Sequence, residues 1–479
     1  MDHCAFALAG LRLLLQLSLP VVSGPQSQSS DIIDSVPRDT RSIINVLSLS
    51  PATKELVCCP KCFCCYPLQS CPEQCTNQDT PSSPVCQRRL RKEPAKGLDT
   101  GSLHECPPMR LYVYHDFKEW LACLHSRPEI EKYLERNLSA NNEQRLSGVH
   151  RDIWDAPALQ DFLGPDGRKF ITPNCGEGRY IFSLNMDGFN PFERKQAGKK
   201  SSSGAIYMIC LNLPPEIRYK PENMFLVGII PGPHEPSLHQ INHLLRPLVD
   251  DLLIAWHNGI RLSRTALHPT GRTVRCAVVP LVCDLPAARQ MAGYAPCTSK
   301  NCCSYCLLKL QEIGNFDEST WLHMSREEHL SIAMQWRDAP SEAARCLLYD
   351  EHGIRWSELL RLPYWDPTKF TLLDSMHTLL LILIQKHCRE VWGMDDQFDD
   401  GPGATYDKLV MSQPPSFDQI QNGLHVLRTG KTKDLHKLSE PILRFMCREL
   451  QIQFGGRKGK LIKYLTNFVR SIFMSVAIC

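Results

Sequence analysis

Short apolar runs that stop at Pro or Gly dominate the middle of the chain. Ile181-Phe-Ser-Leu-Asn-Met-Asp187-Gly, Gly204-Ala-Ile-Tyr-Met-Ile-Cys-Leu-Asn-Leu-Pro and Met224-Phe-Leu-Val-Gly-Ile-Ile-Pro-Gly each have the length and the breakers of a buried strand. From Ser237 to Gly259 the period changes to that of a helix, with Ile241, Leu244, Leu245, Leu248, Leu252, Leu253 and Trp256 on one stripe. A further apolar run, Ala277-Val-Val-Pro-Leu-Val-Cys-Asp284-Leu-Pro, reads as a fourth strand. The expected order is strand with Asp, two strands, helix, strand with Asp, a mixed α/β fold. Carboxylates at strand ends suit divalent cations that activate a nucleophile on a phosphodiester. Asp-Gly and Asp-Leu-Pro are equally ordinary ways to end a strand or begin a turn.

Around this centre the patterning changes. Residues 107–180 read as mainly helical, led by Phe117-Lys-Glu-Trp-Leu-Ala-Cys-Leu and a second stretch beginning at Arg127-Pro. Residues 24–56 are polar and read as a linker, and Asp395 to Pro415 as an exposed connection. Near the C-terminus a helix is expected after an N-capping Ser439, with Glu440 and Pro441 in its first turn. A second helix follows Gly455-Gly-Arg-Lys-Gly-Lys. Ala5 to Ser23 is apolar but carries Asp2 and His3 in place of a basic n-region, and Arg12 interrupts it. It reads as a helix remnant, and stable membrane association is not expected.

Net charge is only +3, so contacts with nucleic acid must come from local patches. Cysteine placement says more than the total of 23. Eight lie between Cys58 and Cys86, and the simplest tetrahedral zinc set among them is Cys59, Cys62, Cys75 and Cys86. A full thiolate shell leaves no open position, so such a zinc is structural. A second tight pair, Cys303-x-x-Cys306, follows Asp284 by about twenty residues.

The motifs Asp187-Gly-Phe-Asn-Pro-Phe, Lys220-Pro-Glu-Asn-Met-Phe-Leu-Val-Gly-Ile-Ile-Pro-Gly-Pro, Asp284-Leu-Pro-Ala, Cys303-Ser-Tyr-Cys306 and Leu373-Asp-Ser-Met-His377 resemble, in order, the transposases of CACTA-type (Enhancer/Suppressor-mutator) DNA elements in their fungal form. The resemblance runs over roughly residues 55–470. It implies a DDE recombinase with a ribonuclease-H-like core over 181–296, interrupted by a helical zinc-containing insertion over 297–395. It implies Asp187 and Asp284 as ligands of catalytic Mg2+ or Mn2+, and it matches the quartet of residues 57–92 as a zinc segment. It pairs Cys303 and Cys306 with His377, with His387 and Cys297 as candidates for the fourth position. Asp374 is then a carboxylate that orients His377 or sits by the catalytic metals.

Residues 436–470 resemble the SAP helical hairpin, which implies DNA contact through Arg457, Lys458, Lys460 and Lys463 near a helix N-terminus. The implied partner is DNA and the implied location the nucleus, with room for a homo-oligomer. After His377 nothing resembles the family's third acidic segment, and the chain reads as a truncated copy. Two functions are therefore expected: a transposase, or a catalytically dead, zinc-stabilised DNA-binding remnant of one. A zinc deaminase is disfavoured, because neither Cys59 nor Cys303 has a His-x-Glu upstream.

Overall fold

The apolar runs become the centre of one mixed sheet. The computed structural model describes residues 50–93, 106–135, 152–172, 176–189, 203–392, 417–429, 432–450 and 458–476, with positions 14, 42–44 and 452 besides. Two compact units result, Met1–Asp374 and Ser375–Cys479. The apolar stretch 5–23, apart from Leu14, the connection 395–415 and Arg457 lie outside the described residues.

Among the described residues, nine strands run through the first unit: β1 (Thr53–Cys58), β2 (Cys65–Pro67), β3 (Leu111–His115), β4 (Gly178–Phe189), β5 (Ser203–Cys210), β6 (Met224–Ile230), β7 (Ile260–Leu262), β8 (Arg272–Cys283) and β9 (Thr371–Leu373). Their order is β2-β1-β3-β6-β5-β4-β8-β7, and β9 also pairs with β8. β5 is antiparallel to both β4 and β6, whereas β8 runs parallel to β4 and β9 parallel to β8. Along one edge of β8, β7 covers the start and β9 the end. The three strands β4, β8 and β9 therefore point their C-terminal ends the same way.

Helices cover the sheet: α1 (Phe117–His125), α2 (Pro128–Leu134), α3 (Ile241–His257), α4 (Leu285–Ala292), α5 (Arg326–Arg337) and α6 (Glu342–His352). α3 buries Leu244, Leu245, Leu248, Leu252 and Trp256 against the core. Each fully buried leucine contributes about 1.5–3 kcal/mol of transfer free energy. The same helix carries the buried Asp251, which accepts a 2.8 Å bond from the Tyr114 hydroxyl on β3 and faces Lys54 and Lys118. One paired carboxylate thus ties α3 to β1, β3 and α1.

Two elements differ from the sequence reading. Residues 111–115, inside the stretch read as helical, form β3: Tyr112 and Tyr114 are fully buried while Val113 between them is exposed, a period of two. β1 occupies the end of the polar stretch read as linker, because Val57 and Cys58 turn inward beside the cysteine cluster.

Between β8 and β9 lies the insertion, holding α4, α5, α6 and a loop around Cys303. The second unit holds two wide-wound helical segments, Met376–Ile384 and His387–Val391, a single helical turn at Thr432–Leu435, and the longer helices α7 (Phe417–Thr429), α8 (Glu440–Glu449) and α9 (Lys458–Val476). Leu435, Leu438, Leu443, Met446, Leu461 and Leu465 form its own small core. Among the described residues, no helix is long and apolar enough to cross a membrane.

Candidate metal centre and active site

The cysteine cluster is built on the β1–β2 turn. Cys58 and Cys65 are registered partners at the end of that hairpin, and Cys59 and Cys62 fall in the turn between them. Cys75 and Cys86 arrive from the following loops, and all four thiol sulfurs lie within 4.8 Å of one another. Cys59 Sγ and Cys86 Sγ are 3.8 Å apart, Cys62 Sγ and Cys75 Sγ 3.4 Å. A tetrahedron of sulfurs about 2.3 Å from zinc has edges of roughly 3.8 Å, so the quartet fits that ion.

The sulfur of Cys62, with the amide N–H groups of Cys62 and Lys61, holds the Cys59 thiol down at about 5 against its burial, while Cys62 itself is pushed up. Among the described residues, two other than glycine take left-handed backbone, Phe63 (φ 62°) and Gln87 (φ 53°), and each directly follows a cluster cysteine. Such conformations cost about 1–3 kcal/mol, and they persist where the surroundings demand them. The basic run after the cluster is largely structural: Arg91 is buried and donates to the carbonyls of Cys106 and Leu68, and Arg89 pairs with Glu93.

At the C-terminal end of the sheet the aspartates converge. Asp187 is the tenth residue of β4 and the first of its three exposed end residues. Asp284 follows β8 directly and caps α4, its Oδ1 accepting from Ala287 N–H at 2.8 Å. Both line one cavity of about 160 Å³, together with Glu235 from the loop after β6. Leu184 is registered with Leu281, which brings Asp187 level with Asp284. Leu373 is registered with Cys283, so Asp374, one residue past β9, leaves its strand beside Asp284. Asp374 stands outside the wall of that cavity.

The buried Cys283 thiol reports this convergence. It accepts from Met186 N–H at 3.1 Å, and burial first, then Asp284, Asp187 and Asp374, pushes its titration up. Burial raises the Tyr207 phenol as well, helped by Asp187, Cys283 and Asp374. Hard carboxylate oxygens lining a cavity are the donor set that Mg2+ and Mn2+ take. Sequence reasoning had no means of placing Glu235, which reaches this end of the sheet from a loop.

A second acidic group, Glu131, Glu135 and His268, also has its ligand atoms within 4.8 Å. Arg272 already supplies a cation there: its Nη1 donates to Glu135 Oε1 and lies 3.1 Å from His268 Nε2. The group ties α2 to the β7–β8 hairpin, where Leu267 N–H donates to Glu131.

Cys303 and Cys306 form a tight turn in the insertion, with Tyr305 N–H and Cys306 N–H donating to Cys303 Sγ at 3.3 and 3.4 Å. His377 lies at the start of the second unit. Lys458, Lys460 and Lys463 lie in the first two turns of α9, with Lys460 and Lys463 exposed.

Residues 175–344, from just before β4 through Asp187, Asp284 and the Cys303 turn, match the family model for the Transposase family tnp2. No curated protein matches the chain. The family match supports a transposase family.

Proposed function

We propose that the chain is a DDE-type transposase, which hydrolyses DNA at the ends of a mobile element and joins the freed 3′ hydroxyl to a target. The observation that carries this reading is the level placement of Asp187, Asp284 and Asp374 at the ends of three neighbouring parallel strands. Three antiparallel strands, a helix, and two strands parallel to the first also suit a ribonuclease-H-like core. Asp374 then fills the third acidic position, for which the sequence beyond His377 offers no match.

In this reading Asp187, Asp284 and Asp374 hold Mg2+ or Mn2+. Such ions polarise the phosphodiester, lower the pKa of the attacking water and stabilise the leaving oxygen. The chain's own part is positional. Strand ends fix the carboxylates more rigidly than loops do, and the hydrogen bond from Ala287 N–H fixes Asp284 while leaving its second oxygen available. Glu235 adds negative charge to the lining of the cavity. The cysteine quartet holds a structural zinc. Lys458, Lys460 and Lys463 bind DNA phosphates at the N-terminus of α9, as in an SAP-like hairpin.

The test is cleavage of duplex DNA carrying the element's ends, with Mg2+ or Mn2+ supplied. Nicking by the wild-type chain that disappears in Asp187→Asn supports the transposase. Binding with a steep salt dependence but no cleavage under either metal favours the remnant.

A further inference from the structure

Cys75 and Cys86 do more than complete the quartet, because they close the base of a loop, Thr76 to Val85, that reaches the insertion. Backbone bonds join that base. Cys75 N–H donates to the Arg88 carbonyl at 2.8 Å, Gln87 N–H to Cys75 at 2.9 Å and Cys86 N–H to Asn77 at 2.8 Å. The tip folds on itself: Gln78 Nε2 donates to the carbonyls of Pro81 and Ser83, and the Thr80 and Ser83 hydroxyls share a hydrogen bond. There Ser82 N–H donates to the Pro340 carbonyl at 3.2 Å, in the turn between α5 and α6. Thr80 is buried, and Asp79 faces Arg345 on α6 and His239 ahead of α3. We propose, resting on zinc in the quartet, that this ion sets the docking of the insertion, with the 76–85 loop as a metal-dependent strut.

The foot of the strut is fixed. Gln240 Nε2, at the start of α3, donates to the Lys61 carbonyl in the Cys59–Cys62 turn. Its base, by contrast, has little besides the cysteines to hold it. Among the described residues, the buried core around the quartet is Val57, Leu90 and cysteines, separate from the main core under the sheet. A segment with so little apolar mass draws its folding energy from the metal. The sheet keeps a core of its own, with Ile181, Phe182, Leu184, Val278 and Leu281 fully buried.

Removing the ion therefore opens the base of the loop and leaves the sheet standing. Ser82 and Asp79 must then reach the insertion from an unpinned chain, and ordering that chain costs conformational entropy. Arg345 is where the loss is felt. It is buried on α6 and donates to the carbonyls of Trp336 and Arg337 at the end of α5, so it ties the two helices together. Its counter-charge comes at longer range from Glu342, Asp79 and Asp338. A buried guanidinium that loses part of this compensation is destabilising. The insertion runs on into β9, so the strut braces the segment that delivers the last strand.

The experiment is hydrogen–deuterium exchange, read by mass spectrometry on the full chain loaded with Zn2+, after chelation, and after Zn2+ is returned. Amides of the α5–α6 turn, residues 336–346, should lose protection with the metal and regain it, while β4, β5 and β8 keep theirs. Asp79→Lys sets a cation before Arg345. It should free the same turn with the quartet still loaded, seen as an unchanged tetrathiolate Co2+ spectrum. A wild type that takes up no zinc overturns both the zinc reading and the strut. Zinc uptake with the turn equally protected in its absence, or an Asp79→Lys chain protected like wild type, overturns the strut alone. So does loss of protection across β4, β5 and β8 on chelation, which would make the ion a support of the whole unit.

Discussion

Asp374 leaves β9 beside the point where Asp284 leaves β8, because Leu373 and Cys283 are registered partners in parallel strands. Two acids almost a hundred positions apart in sequence thereby reach neighbouring strand ends. Replacing Asp374 by Asn should reduce metal-dependent DNA cleavage by more than the ~100-fold that loss of a residue supporting a metal ligand reaches. Glu235→Gln, on a loop, should cost far less. Cleavage rates of the two variants against wild type decide the matter, and an Asp374→Asn chain that cuts normally removes Asp374 from the site.

Asp284 carries two duties that substitution separates. Asn caps a helix about as well as Asp, whereas Ala costs about 1 kcal/mol. Asp284→Asn should therefore melt like the wild type yet lose cleavage, and Asp284→Ala should lose both. Equal melting temperatures for the Asn and Ala variants would show that the bond to Ala287 N–H contributes nothing.

His329 on α5 is fully buried, neither ring nitrogen has a partner among the described residues, and its ring meets Tyr294 edge to face. Burial holds its titration down at about 4, against a smaller pull from Asp366. An unfolded imidazole takes its proton near 6.5. Between those values the unfolded state binds more protons, so stability falls as pH drops from about 6.5 to about 4, by roughly 3 kcal/mol at the lower end. His329→Phe keeps the ring contact and should be neutral or stabilising at pH 7. It should also flatten the acid limb of a denaturation series. His243, likewise held near 4 by burial, retains its own share. An unchanged acid limb in His329→Phe would count against this account.

Lys460 and Lys463 sit exposed at the start of α9. If they meet phosphates, Lys460→Ala/Lys463→Ala should weaken binding to all duplexes alike. The slope of log K against log salt should become shallower by about 0.9 for each lost contact. A salt titration by fluorescence anisotropy reads this directly, and an unaltered slope would leave the two lysines as solvated surface.

The centre of the sheet was legible because β4, β5, β6 and β8 are long apolar runs closed by Pro, Gly or Asp, and α3 keeps one stripe for seventeen residues. The quartet was legible because Cys59-x-x-Cys62 is a local signal with two later cysteines in reach. β3 was hidden by the strong helical period just after it, and β9 by its three-residue length, too short for any periodicity to register. Asp374 was visible only as part of a motif shared with His377. Its place at the sheet end is a property of strand register, which a single sequence does not encode locally.

Because the insertion separates β8 from β9, the sheet acquires its last strand late. A ribosome adding 5–20 residues per second needs roughly 10–40 s to go from Asp187 to Asp374. Once β8 has been made, about halfway through that interval, β4 to β8 can pair while Asp374 is still unmade or unplaced. The nascent chain would thus carry the zinc quartet and most of a folded sheet, yet no complete acidic centre. In the transposase reading, competence to cut would begin only once the insertion has folded and delivered β9 to its edge.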